Sequence, residues 1–191
     1  MALGRLRSAR YDPGMRPLFL VVILLGVLAA PAVRAAKLSD FYGYWVGTGV
    51  AETEVGEDSA RQQRDLEVIL REHPRGFQLC WATVRRTSGR PARETLSMFL
   101  FEPTDEGSWR AFFTGESSAV RHTAWAVIKG DTLTVSSHVV DEAGNSELQV
   151  YNRTLRKGAM ELLFARFTND ELQRTVQGNL RRRPAQAKNW C

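Results

Sequence analysis

DFYGYWVGTGVAE, residues 40–52, sets an aromatic cluster directly before glycines at alternate positions. Gly43, Gly47 and Gly49 share a parity with Trp45. An extended chain would therefore show one large ring and three missing side chains on a single face. This suits the first strand of a small closed β-barrel. The glycines let the strand bend sharply as the sheet shuts, and the indole fills the narrow end. On the same face Ala51, Thr53 and Val55 continue inward, while Glu52 and Glu54 point to solvent.

Outward from this stretch the chain reads as short alternating segments bounded by turn residues. The expected strands are Tyr44–Val55, Arg64–Arg71, Phe77–Arg86, Arg93–Phe101 and Trp109–Thr114, then Thr123–Ile128, Thr132–Val140, Ser146–Leu155, Ala159–Thr168 and Leu172–Arg182. Ser39 is placed to cap a single helical turn before the first of them. No room is left for crossover helices, so neighbours pair antiparallel. The fold class is all-β: a single antiparallel up-and-down β-barrel of about 8–10 strands.

Register can be tested on paper, because a one-residue slip turns every side chain to the other face. A three-residue turn at residues 169–171 sets Phe164 opposite Val176 and Leu162 opposite Gly178. A turn Arg156-Lys157-Gly158 then sets Leu148, Val150 and Asn152 opposite Arg166, Phe164 and Leu162. A four-residue turn at 142–145 sets Val139 against Leu148. Closing the sheet brings Leu180 and Arg182 beside Gly43, Trp45 and Gly47.

The N-terminal segment carries an address. Leu18–Ala30, LFLVVILLGVLAA, follows Arg16 and precedes PAVRAA. A basic start, a short apolar run and alternating small residues make a secretory signal peptide. The run is shorter than the about 20 residues of a spanning helix. We therefore divide the chain into a signal peptide at 1–35 (with Met15 as an alternative start), a barrel at 36–183 and a short basic tail at 184–191. The expected location is periplasmic or secreted, with membrane contact only through the signal peptide. The net charge of +5 largely belongs to that segment, which holds five Arg and one Asp. The rest is nearly neutral, and four of its basic residues sit in the last eleven positions, which leaves the body mildly acidic, so a nucleic-acid partner is not expected. Cys80 and Cys191 can bridge in an oxidising compartment, but spacing alone leaves the pair open. Asn152-Arg153-Thr154 is a glycosylation sequon that falls within an expected strand.

Gly43-Tyr44-Trp45, after a short helical turn, resembles the Gly-x-Trp that opens lipocalins and their calycin relatives. In that family an Arg from near the end of the barrel commonly packs across the Trp. The resemblance implies this role for Arg182, so that Gly43, Trp45 and Arg182 together form a structural plug. The T-D-Y block and the long C-terminal helix of lipocalins are absent. Trp45 to Gly49 also resembles the W-x-G-x-G opening of nitrobindin-type haem barrels. Their C-terminal haem-ligand His has no counterpart after His138, which argues against haem.

No chemistry is spelled out. His73 lies in a turn, His122 in a loop and His138 on an outward parity, none at metal-ligand spacing. No G-x-S-x-G occurs. No metal or other cofactor is expected, and an enzyme is unsupported. Aromatic residues on inner faces could line a pocket for one small ligand; the candidates are Trp81, Trp125 and Phe164. Arg166 and Arg174 stand on the apolar parity of adjacent strands, directly opposite each other. They either reach water or a carboxylate such as Asp170, Glu171 or Glu147, or they clamp an acidic head group at the open mouth. The first functional reading is an exported, non-enzymatic barrel that binds a small hydrophobic or amphipathic ligand, acidic if the arginines clamp it. The alternative is a cell-envelope interaction module with a filled barrel, acting through loops or tail.

Overall fold

A computed structural model describes residues 35–53, 62–86, 91–112, 121–184 and 190–191. Residues 1–34 of the expected signal peptide lie outside the described residues, as do Glu54, Val55 and Thr114. The unit that contains the barrel runs from Ala35 to Cys191. One helical turn, α1 (Leu38–Phe41), precedes ten strands: β1 (Gly43–Thr53), β2 (Gln62–His73), β3 (Gly76–Arg85), β4 (Arg93–Pro103) and β5 (Trp109–Phe112), then β6 (Arg121–Lys129), β7 (Thr132–Val140), β8 (Ser146–Arg156), β9 (Ala159–Thr168) and β10 (Glu171–Arg183). Each pairs antiparallel with its chain neighbour, and β10 closes on β1. The result is an up-and-down barrel of ten strands, at the upper limit of the expected range.

Closure depends on the opening stretch. Leu180 and Arg182 pair with Gly47 and Trp45. A Cβ on Gly47 would lie 1.9 Å from the Asn179 carbonyl oxygen. Only glycine permits so close an approach of the two backbones. Gly43 adopts φ +134°, a conformation that side chains disfavour. The start of α1 differs from expectation: the carboxylate of Asp40 accepts the Lys37 N–H at 2.7 Å, and Ser39 lies inside the turn.

Register agrees with the sequence reading at β9–β10 and departs from it at β8. Phe164 does face Val176, and Arg166 faces Arg174. The connecting turn has two residues, Asn169 and Asp170, both at positive φ, and a bulge between Leu172 and Arg174 restores the expected pairing. At β8–β9, Arg156 pairs with Ala159, so the turn is Lys157-Gly158 alone, again with both φ positive. Such two-residue turns match the twist of the flanking strands. No bulge compensates here. Gln149, Tyr151 and Arg153 therefore face Arg166, Phe164 and Leu162, and the expected inner residues Leu148, Val150 and Asn152 turn outward. A slip of opposite sense follows at β7, where Val139 meets Glu147 because the loop is one residue longer than expected, and it leaves Val135 on its expected inner side.

The core fills only part of the barrel. Phe41, Trp45, Leu70, Phe77, Phe101 and Met160 pack near the α1 end with almost no exposure. On the outside, Cys80 of β3 bonds to Cys191, with Cα atoms 6.0 Å apart. This disulfide pins the C-terminus against the outer face of β3, where Arg71 also donates to the Cys191 carbonyl.

Candidate functional site

The strand ends away from α1 surround a cavity of about 260 Å³. Its wall is part aromatic and part cationic. Trp81 stacks on Phe99 with centroids 5.3 Å apart and meets Tyr151 at 4.9 Å, and Tyr151 meets Phe164 at 4.6 Å. Trp81, Tyr151 and Phe164 line the cavity as one continuous surface, and Phe99 packs against Trp81. Among them stand Arg64, Arg153, Arg166 and Arg174, with Arg85 at the edge.

Arg153 is the extreme case. Its side chain is 0% exposed, and among the described residues none of its three guanidinium nitrogens has a hydrogen-bond partner. The guanidinium lies over the rings of Tyr151 and Trp81, at 5.1 Å and 5.5 Å from their centroids. Burial pushes it down to about 10, so it still carries its charge at neutral pH. The same burial holds the Tyr151 phenol up at about 12, against the pull of Arg153. Arg64 is only 5% exposed, and burial together with Arg174 and Arg85 lowers it to about 10. Arg174 is lowered by burial first and then by Arg166 and Arg85. Arg166 differs, because its Nη2 pairs with Glu147 at 2.6 Å. That carboxylate also accepts from Gln149, whose carbonyl oxygen accepts the Tyr151 hydroxyl at 2.7 Å. Burying Arg64 and Arg153, neither of which has an ion-pair partner among the described residues, is costly.

Of the residues proposed from sequence, Arg166, Arg174, Trp81 and Phe164 all line this cavity. Trp125 does not. It occupies the outward parity of β6 and is 41% exposed, because Ala124 and Ala126 take the inner face. His122 also needs correction: it lies in β6 on the inner side, with Nε2 2.9 Å from the Ser137 hydroxyl. At the other end Gly43, Trp45 and Arg182 meet. The Arg182 guanidinium sits 4.7 Å from the Trp45 centroid and donates to the Asp40 carbonyl oxygen at 2.7 Å. A Cβ on Gly43 would be 3.4 Å from Arg182 Nε.

Arg64 and Arg153 were missed. Arg64 carries the inner parity of Leu66, Val68 and Leu70, a signal that could have been used. The sequence reading gives Leu148, Val150 and Asn152 the inner parity, which leaves Arg153, the centre of a sequon, on the outward one. Among the described residues, no group of three His, Cys, Asp or Glu could hold a metal ion.

No protein family matches the sequence, and no curated protein does. Among solved structures the chain is similar to an S-type phycobiliprotein lyase from Guillardia theta, with a TM-score of 0.53 and 5% identity, over 78% of this chain and 92% of that chain. At this identity the likeness concerns the fold alone, and it fits a lipocalin-like barrel. A hot-dog-fold protein of unknown function from Alicyclobacillus acidocaldarius, 8% identical over 88% of this chain and 87% of that one, has a TM-score of 0.21 and carries no argument.

Proposed function

We propose that the barrel binds one small amphipathic acid, with its apolar part against Trp81, Tyr151 and Phe164 and its acidic group on arginine. The observation that carries this reading is Arg153, charged, fully buried and without a hydrogen-bond acceptor among the described residues. A core selected for stability alone would hold an apolar side chain there. A bound carboxylate or phosphate would supply both the counter-charge and the acceptors, and guanidinium forks suit such groups. The likeness to a phycobiliprotein lyase fits a barrel that handles a ligand. Export is part of the proposal. It is supported by the apolar run at 18–30 and by the Cys80–Cys191 disulfide, which an oxidising compartment would preserve.

Titration of decanoic acid and its methyl ester tests the reading, followed by quenching of tryptophan fluorescence. The acid should bind wild type well and Arg153→Gln about ten- to hundredfold more weakly, the scale of a charged hydrogen bond. The ester should distinguish the two proteins little. Equal binding of acid and ester to wild type would overturn the proposal.

A second reading has its own observation. Leu96, Met98, Trp125 and Val127 are exposed on the outer faces of β4 and β6. They favour an interaction surface of the kind an envelope module would use.

A further inference from the structure

The cavity wall is layered along the strands. On β10, β9 and β8 the layer nearest the mouth holds Arg174, Arg166 and Gln149. The next holds Val176, Phe164 and Tyr151, and the third Gly178, Leu162 and Arg153. The facing wall repeats the order. On β2 and β3 the rim pair is Arg64 with Arg85, followed by Leu66 with Thr83, then Val68 with Trp81. The contact of Arg153 with Trp81 joins the two third layers. Rim and third layer are four residues apart on each strand, or about 13 Å between Cα atoms at roughly 3.3 Å per residue. The intervening layer bears no charge. Two cationic subsites thus stand at either end of an apolar waist.

One acidic group cannot serve both. Placed on Arg153, it leaves Arg64 and Arg174 repelling each other at the rim. Placed at the rim, it leaves Arg153 buried without an acceptor. Glu147 already answers Arg166, and among the described residues Arg64, Arg153 and Arg174 have no ion-pair partner. We propose that the ligand is a diacid: an apolar chain or ring system with an acidic group at each end, one held by Arg153 and the other by Arg64 and Arg174. This rests on the reading of the barrel as a binder of amphipathic acids and names the class within it. Once the first group is bound, the second engages at high effective concentration, so the two contacts reinforce each other.

The test compares decanedioic acid, its monomethyl ester and decanoic acid on the folded, oxidised protein. Decanedioic acid should bind about ten- to hundredfold more tightly than the two monoacids. Arg153→Gln and Arg174→Gln should each bring it down to the monoacid level, and Arg64→Gln should behave as Arg174→Gln does. Unchanged or raised melting midpoints would show that the variants remain folded. If diacid and monoacids bind wild type equally well, the diacid is wrong and the amphipathic-acid reading stands. If only Arg153→Gln matters, and for all three acids alike, there is a single subsite and the diacid is again wrong. Binding by none of the three overturns both.

Discussion

The two ends of the barrel use the same pair of residue types to opposite effect. At the closed end Arg182 lies over Trp45, and at the open end Arg153 lies over Trp81, at centroid distances of 4.7 Å and 5.5 Å. The difference is in the remaining polar atoms. Trp45 Nε1 donates to the Phe41 carbonyl oxygen at 2.9 Å, and Arg182 donates to that of Asp40. Arg153 donates to nothing among the described residues. A cation–π contact contributes about 0.5–2 kcal/mol, which is less than the cost of burying a guanidinium without acceptors. The first pair therefore stabilises the fold, and the second is carried at its expense. It is the donors left unanswered, rather than the aromatic–arginine pattern, that separate a site from a plug.

Mutation should expose this asymmetry, most strongly at the closed end. Trp45→Ala removes a fully buried ring and should lower stability by about 3–5 kcal/mol. Denaturant unfolding measures it, and an unchanged midpoint would mean that the closed end is not closed by Trp45. Next in size is the disulfide. Cys191→Ser releases a link across 111 residues and should cost about 2–5 kcal/mol. Since Cys80 points to the outside of β3, opposite in parity to Trp81, affinity for decanoic acid should stay the same. A change in affinity would show that the tail governs the cavity as well as the fold.

The open end should respond with the other sign. Arg153→Met replaces an unanswered charge by an apolar side chain, and without ligand it should stabilise the barrel by about 1–3 kcal/mol. Thermal melts of the two proteins decide the matter. A clear loss of stability would make Arg153 a structural residue like Arg182, and the contrast between the ends would fail.

How much of this was legible in the sequence follows from the same contrast. The closed end depends on local features, a Gly-x-Trp and an alternating pattern of small residues, and these are visible without coordinates. The strands were legible for the same reason, since parity and turn residues are local. The site depends on register, which is a property of turns. One extra residue was assigned to the turn at Lys157-Gly158, whose Lys was not expected at positive φ. That error moved Tyr151 and Arg153 from the wall of the cavity to its outside. At β10 a similar error in turn length did no harm, because the bulge after Leu172 absorbed it and left Arg174 opposite Arg166. Trp125 failed for a different reason: its segment is apolar on both faces, so parity could not choose between the indole and the alanines beside it.

The smallest effect concerns that opposed pair, and its sign should differ between the two members. The arginines face each other across β9 and β10, which is unfavourable for like charges. Among the described residues only Arg166 of the two has a carboxylate, Glu147, and its side chain is 39% exposed, so the ion pair contributes about 0–1 kcal/mol. Arg174 has the repulsion without the partner, and Arg64 adds to it. Arg174→Gln should therefore leave the ligand-free protein unchanged or slightly stabilised. Arg166→Gln loses the pair with Glu147 and gains the same relief from repulsion, so it should be neutral to slightly destabilised. Melting curves of both variants at low and high salt separate these contributions, because salt screens exposed charges. The gain for Arg174→Gln should shrink as salt rises. A gain of equal size in both variants would show that Glu147 does not hold Arg166, and that both guanidinium groups at the mouth stand ready for a ligand.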